Sequence, residues 1–222
     1  MNLKNLIKDI EFLIYPPRCC VCGCKVFGKE VICSKCKSEF QRNTLMRCFH
    51  DPCFEEKFWC ITPFYYRGTA KKAIIKFKFY GKIELAEFLS LEMSKAIKQS
   101  KINLHFDYIT SVPLSKKRLK RRGYNQSELL AKSCANHLNL PYVSCLVKQK
   151  DNKEQHTLKK SERKDNVKGV YRVIENMDLV GKRILLIDDI ATTGFTLSEC
   201  AKTLVLAGAK KVVCSTAVIV EL

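Results

Sequence analysis

Two adjacent acids and a threonine-rich turn form the most chemically specific segment of this chain. Asp188 and Asp189 follow the apolar run 183–187, and the turn Thr192-Thr193-Gly194-Phe195-Thr196 comes next. Backbone N–H groups and hydroxyls at the start of a helix bind phosphate, and Gly194 lets the backbone approach closely. Carboxylates instead accept hydrogen bonds from neighbouring sugar hydroxyls. The segment therefore predicts a site for a ribose 5-phosphate group; a Walker loop and a dinucleotide fingerprint are both absent from the sequence.

The residues on either side of this turn predict a βαβ unit. Continuous apolar runs such as 183–187 and 212–220 are typical of buried parallel strands. The pattern becomes helical from Leu197, and Gly208 suits the end of that helix. In open α/β sheets, ligands bind at the carboxyl ends of the strands, where this turn would lie.

Four cysteines in two Cys-x-x-Cys pairs predict a metal site near the amino terminus. The pairs are Cys19/Cys22 and Cys33/Cys36, and the intervening residues suit a hairpin. Four thiolates make a closed structural Zn²⁺ site, which stabilises a fold and does not catalyse. A second site remains open, with candidate ligands Cys20, Cys24, Cys48, His50, Cys53 and Cys60.

Positive charge is concentrated beside the predicted phosphate site. The formal net charge is +18, and residues 111–172 alone hold 16 Lys/Arg and 5 Asp/Glu, a net of +11. Such a concentration favours nucleic acid or phosphorylated ligands. The densest cluster follows a predicted strand at 107–112 and is interpreted as a basic loop that precedes a helix from Gln126. Its cations are Lys116, Lys117, Arg118, Lys120, Arg121 and Arg122.

The remaining segments are less specific. Residues 84–98 predict a helix, and residues 148–172 predict a long exposed loop or hairpin. Interleaved Lys and Phe residues in 71–80 leave two interpretations open: a half-buried strand or helix, or a platform on which single-stranded nucleic acid stacks. Residues 1–14 predict a short amphipathic helix, and no apolar run reaches the ~18 residues of a membrane span. We expect a cytoplasmic protein without stable membrane insertion.

Four stretches together resemble the ComF/ComFC family. ILLIDDIATTGFT is similar to the PRPP (5-phosphoribosyl-1-pyrophosphate) motif of type I phosphoribosyltransferases. The segment 118–126 resembles the family's Arg-Gly-Phe/Tyr-Asn-Gln signature, the segment 155–169 resembles its next signature, and the cysteine ribbon leads the chain as it does in the family. The resemblance covers roughly residues 16–220, although five cysteines beyond the family's four crowd the ribbon.

The resemblance implies roles for particular residues. Asp188 and Asp189 would bind the ribose hydroxyls, and the turn from Ala191 to Thr196 would hold the 5-phosphate. The loop of Val112, Pro113 and Leu114 would contact the pyrophosphate together with Mg²⁺. Arg163 and Asn166 would lie on a mobile loop that closes over the site. The family is implicated in natural transformation, which implies single-stranded DNA and other DNA-uptake proteins as partners.

We expect an α/β fold with a mainly parallel sheet, divided into a zinc-ribbon module (1–57) and a phosphoribosyltransferase-like domain (58–222). Three functions remain open. The chain binds single-stranded DNA and PRPP, or it is an active phosphoribosyltransferase acting on an amine or base, or it is a zinc-ribbon adaptor with a vestigial phosphate site. No element for recognising a base is identifiable in the sequence.

Overall fold

The computed structural model describes residues 16–43, 46–50, 57–100, 102, 105–149 and 169–221. The predicted amino-terminal helix lies outside the described residues, as do Arg163 and Asn166. In chain order the elements are α1 (Ser34–Ser38), β1 (Arg47–His50), β2 (Lys57–Ile61), β3 (Phe64–Tyr65), α2 (Gly68–Phe79), α3 (Leu85–Gln99), β4 (Tyr108–Ser111), α4 (Lys116–Arg122), α5 (Gln126–Leu138), β5 (Leu146–Lys148), β6 (Tyr171–Val173), β7 (Arg183–Ala191), α6 (Phe195–Leu206) and β8 (Lys211–Ile219).

A mainly parallel sheet organises the molecule, as the sequence predicts. Its strands run in the order β1-β2-β8-β7-β4, with β3 also paired to β8. Within the described part of this sheet, strands β1 and β2 pair antiparallel; β2, β3 and β7 pair with β8 in parallel, and so does β4 with β7. The parallel pairing of β4, β7 and β8 brings their carboxyl ends to one edge of the sheet, where ligands bind in such folds.

Two apolar layers cover the two faces of this sheet. Successive side chains of a strand point to opposite faces, so Leu185 and Ile187 of β7 join one layer while Ile184 and Leu186 join the other. Helices α2, α3 and α5 supply the first layer, and α6 supplies the second. Because both faces are covered, the central strands are apolar along most of their length.

The cysteine module packs onto the first of these layers. Val21, Ile32 and Phe40 are buried there together with residues of α2 and α3. The division of the chain after residue 57 stays a prediction. That boundary falls within β2, which begins at Lys57 and pairs with β1. Along the described ranges, no helix combines the length and apolarity needed to cross a bilayer.

The prediction of a basic loop at 116–122 is wrong, because these residues form helix α4. The Ser115 hydroxyl caps its first turn by accepting a hydrogen bond from the Arg118 N–H at 3.4 Å. Gly123 ends it with a φ of +80°, a left-handed conformation that glycine adopts without strain. Most of the Lys/Phe segment lies in helix α2, which ends at Phe79, and its interpretation as a stacking platform stays a prediction. Strands β5 and β6 pair antiparallel.

Candidate functional site

A cavity of about 550 Å³ opens at the carboxyl ends of β4 and β7. The acidic pair, the threonine-rich turn and the Val112–Leu114 loop all contribute to its walls, so the structure gathers the predicted ligand-binding segments in one place. Each segment lies there because a parallel strand delivers it to this edge. Their roles in binding stay predictions.

The acidic pair lies at the end of β7, held by a hydroxyl and a lysine. Asp188 Oδ1 accepts hydrogen bonds from Ser127 Oγ at 2.6 Å and from the Asp189 N–H at 2.9 Å. Asp189 Oδ2 lies 2.8 Å from Lys78 Nζ, and both side chains are largely buried. Burial, and then the negative charge of Asp189, raise the pKa of Asp188 to about 7. The Asp188 carboxyl can therefore change protonation near neutral pH. Both acids line the cavity.

The threonine-rich turn passes from the end of β7 into helix α6. Thr192, Gly194 and Thr196 line the cavity together with Ala191, whereas the turn's other two members, Thr193 and Phe195, are outside the lining. Gly194 caps α6 with a φ of +80°. The first turn of α6 thus opens towards the cavity, as a phosphate-binding helix start requires.

A phenylalanine from the β1–β2 hairpin supports this turn from the side. A Cβ atom added to Gly194 would lie 2.1 Å from Cδ1 of Phe49, which is far inside van der Waals contact. Glycine is therefore required here for two reasons, the left-handed φ and the close approach of the ring. No motif in the sequence indicates a role for Phe49.

The Arg-Gly-Tyr-Asn-Gln segment connects the walls of the cavity. Asn125 caps helix α5 through the Ser127 N–H and donates from Nδ2 to the Val112 carbonyl at 3.1 Å. The Tyr124 hydroxyl donates to the Phe77 carbonyl in α2. One short segment therefore fixes the Val112–Leu114 loop, helix α2 and, through Ser127, the first acid of the pair.

Helix α4 divides the predicted basic cluster into two groups. Arg118 and Arg122, one helical turn apart, are half-buried and line the cavity. The other four cations are exposed and outside the lining: Lys116, Lys117, Lys120 and Arg121. The cluster therefore has an inner pair that faces the cavity and an outer group that faces solvent.

Several cavity residues were not assigned to the site from the sequence. Lys78 and Phe79 come from the end of α2, Tyr66 precedes that helix, and Lys148 and Tyr171 come from the β5–β6 hairpin. The interleaving of Lys and Phe in residues 71–80 was a signal for two of them. That signal did not show that the two residues lie beside the acidic pair. A pattern within one segment does not reveal which strand end the segment packs against.

The four predicted cysteine ligands come together in the amino-terminal module. The sulfurs of Cys19, Cys22, Cys33 and Cys36 all lie within 4.8 Å of one another, a group that could hold a metal ion. The backbone N–H of Cys24 is the main cause that lowers the pKa of the Cys22 thiol, to about 6, which favours the thiolate form that metals bind. In the portions of the chain that the structure describes, this is the one such group; Cys53 and the side chain of His50 lie outside those portions.

Comparison with known proteins relates the chain to a family model and to several curated proteins. The model of the phosphoribosyl transferase domain matches residues 125–221. The "DNA utilization protein YhgH" of Escherichia coli K12 is 30% identical over 201 residues, covering 87% of this chain and 86% of that protein. "Competence protein F" of Haemophilus influenzae is 32% identical over 145 residues, 63% of each chain. "Competence protein ComFC" of Bacillus subtilis is 27% identical over 199 residues, 81% of this chain and 80% of that protein.

These similarities agree with the fold described above. The matched domain begins at Asn125, the cap of α5, and extends through β7, the turn and β8. The match to the YhgH protein extends over most of both chains, beyond the domain model. The chain therefore belongs to the ComF/ComFC family of competence-related proteins, with a phosphoribosyltransferase-type α/β fold.

Proposed function

We propose that this protein binds a phosphoribosyl ligand of the PRPP type in its cavity and single-stranded DNA on the outer face of helix α4. The observation that carries the proposal is the meeting of Asp188 and Asp189 with the Thr192–Thr196 turn in one cavity. Acids that accept hydrogen bonds from ribose hydroxyls lie beside a helix start that accepts a phosphate.

The cations of the cavity extend this match to the pyrophosphate. Lys78, Arg118, Arg122 and Lys148 line the cavity together with the two acids, so positive groups outnumber negative ones among the described lining residues. A ligand with several phosphate groups compensates that excess. Asp188 and Asp189 offer carboxylate oxygens of the kind that Mg²⁺ takes, and Mg²⁺ bound with the ligand would neutralise charge on a departing pyrophosphate.

The outer face of α4 supports the DNA-binding part of the proposal. Helix α4 has Lys or Arg at six of its seven positions. Four of these cations are exposed and outside the cavity lining: Lys116, Lys117, Lys120 and Arg121. Single strands bind such surfaces through their phosphates, with an affinity that falls as salt increases. The names of the relatives, which refer to DNA utilization and competence, agree with this assignment.

The cysteine cluster supports Zn²⁺ as a structural ion. A tetrahedral Zn²⁺ ion with Zn–S bonds of about 2.3 Å separates its sulfurs by roughly 3.8 Å. The Cys22 and Cys33 sulfurs already lie 3.7 Å apart. The four thiolates would complete the coordination, so the ion would stabilise the module that packs on α2 and α3.

Isothermal titration with PRPP and Mg²⁺ tests the cavity. We expect Asp189→Asn to weaken PRPP binding at least tenfold while DNA affinity stays equal or rises, because the substitution removes a negative charge and releases Lys78 from its 2.8 Å ion pair. Loss of both affinities in a folded variant would show that the two ligands share one site. Wild-type protein that does not bind PRPP would refute the cavity assignment.

Salt-dependent filter binding with single-stranded DNA tests the α4 surface. Each phosphate contact contributes about 0.7 to the slope of log affinity against log salt for single strands, so Lys117→Glu with Arg121→Glu should reduce that slope by about 1.4. The matched control is Lys210→Glu with Lys211→Glu, which changes the same charge where β8 begins, at the opposite end of that strand from the cavity. Equal losses in both variants would mean that net charge, and not α4, attracts the DNA.

A further inference from the structure

We propose that Cys24 is an alternative zinc ligand, which can take the place of Cys22 and complete a second set of four thiolates with Cys19, Cys33 and Cys36. The inference rests on the structural zinc site proposed above. It gives a role to one of the cysteines that crowd the ribbon beyond the two Cys-x-x-Cys pairs. A site with such a reserve ligand keeps its ion when one thiolate is lost.

The four clustered cysteines divide into a buried half and a solvent-facing half. Cys19 and Cys36 are 2% and 3% exposed. Cys22 is exposed and Cys33 is half-buried. The sulfurs of Cys22 and Cys33 lie 3.7 Å apart and form the outer edge of the group. A further ligand would therefore approach the ion at this edge.

Cys24 lies at the same edge. Its thiol is exposed and interacts with the sulfurs of both Cys22 and Cys33. Its carbonyl accepts a hydrogen bond from the Cys19 N–H at 2.8 Å, which holds its backbone beside the first ligand. It is not a fifth member of the compact group, whose four sulfurs all lie within 4.8 Å of one another. Because tetrahedral Zn²⁺ takes four thiolates, Cys24 would enter the coordination sphere when one of its neighbours leaves.

The local backbone favours Cys22 over Cys33 as the ligand that is replaced. Cys22 and Cys24 flank Gly23, whose φ is +80° and whose surroundings would leave an added Cβ without any atom within 4 Å. This open turn has room for either sulfur to move to the ion. Cys33 is more constrained, because its sulfur caps helix α1 by accepting from the Cys36 N–H at 3.4 Å.

Cys20 provides a contrast within the same segment. It is 7% exposed and belongs to the apolar layer beneath the ribbon, together with Val21 and Ile32. Its thiol would have to leave that layer to reach the ion. Closeness in the sequence alone therefore does not make a reserve ligand; the position of the Cys24 sulfur beside the outer edge does.

Titration of the protein with Co²⁺ in oxygen-free buffer tests this exchange, because Co²⁺ replaces Zn²⁺ and its thiolate charge-transfer band grows with the number of bound sulfurs. We expect Cys22→Ala to keep the wild-type band intensity and a Co²⁺ affinity within about tenfold of wild type. Cys22→Ala with Cys24→Ala should lose about a quarter of the intensity, since three thiolates remain. It should also bind Co²⁺ at least about a hundredfold more weakly than wild type. Cys22→Ala with Cys20→Ala, the matched control, should behave like Cys22→Ala alone.

Each alternative outcome has a distinct meaning. Cys22→Ala that loses as much intensity and affinity as its combination with Cys24→Ala would overturn the proposal and leave the zinc site intact. Failure of Cys22→Ala to fold in the presence of Co²⁺, followed by circular dichroism, would also overturn it, because a reserve ligand should maintain the module. Equal losses in the two double variants would mean that any extra thiol acts alike and would overturn the role of Cys24. Wild-type protein that does not bind Co²⁺ would refute the zinc site and this inference together.

Discussion

Replacing Asp188 by asparagine should change the free energy of unfolding in a way that depends on pH. The difference between variant and wild type should favour the variant more at alkaline pH than at acidic pH. Asparagine keeps the oxygen that accepts hydrogen bonds from Ser127 and from the Asp189 N–H, so the main change is loss of a charge. The pKa of Asp188 rises from 3.8 to about 7 in the folded protein, first through burial and then through Asp189. Between about pH 4 and about pH 7, Asp188 is therefore protonated in the folded protein but ionised in the unfolded chain.

The magnitude follows from that difference in proton binding. A raised folded pKa means that wild-type stability decreases as pH rises from about 4 to about 7, by roughly 1.4 kcal/mol for each pH unit. Between about pH 5.5 and pH 8 the decrease amounts to about 2 kcal/mol, because it ends near pH 7. Asp188→Asn has no such decrease, so its free energy of unfolding relative to wild type should rise by about 2 kcal/mol over this range.

Urea denaturation at several pH values measures this difference, and the same variant should lose at least tenfold in PRPP affinity. Asp107→Asn is the matched control, since Asp107 is an exposed carboxylate outside the cavity lining that also accepts a backbone hydrogen bond, from the Arg183 N–H at 2.6 Å. A relative stability of Asp188→Asn that does not change with pH would refute the conclusion that folding suppresses ionisation of this acid.

Three further predictions concern the turn, the acid's hydrogen bond and the cysteine cluster. Gly194→Ala should cost about 1–3 kcal/mol in urea denaturation and abolish PRPP binding, because φ is +80° and the new Cβ would meet Phe49. Ser127→Ala should destabilise the protein by about 1–3 kcal/mol at pH 8 and by less at acidic pH. The reason is that the Ser127 hydroxyl donates a hydrogen bond to Asp188, which is negatively charged only at the higher pH. Equal losses at both pH values would contradict this prediction. Cys36→Ser should lower bound zinc below one ion per chain in metal analysis, whereas Cys134→Ser, at a buried cysteine outside the cluster, should retain it.

The sequence was sufficient for the elements that flank the turn. Parallel strands buried on both faces are continuous apolar runs, which made β7 and β8 recognisable. The acidic pair and the threonine-rich turn follow directly in the chain, so their proximity required no tertiary information. The cluster of four cysteines was predictable for a similar reason, since each Cys-x-x-Cys pair brings two sulfurs together locally.

Helix α4 shows where reasoning from the sequence failed. Six cations in seven residues leave no apolar periodicity, so the segment was interpreted as a loop. Its helical state depends on the capping residues Ser115 and Gly123, and its orientation depends on packing. Only the folded helix separates Arg118 and Arg122, which face the cavity, from the cations that face solvent.

The remaining site residues were decided by the tertiary structure alone. Lys78 contacts Asp189, Phe49 packs against Gly194 and Phe79 lines the cavity, although no motif in the sequence relates these residues to the acidic pair or the turn. A linear sequence determines which groups can accept a phosphate or a sugar, because that chemistry is local. It does not determine which distant cation or ring meets them, because that depends on how helices and hairpins pack against the end of a strand.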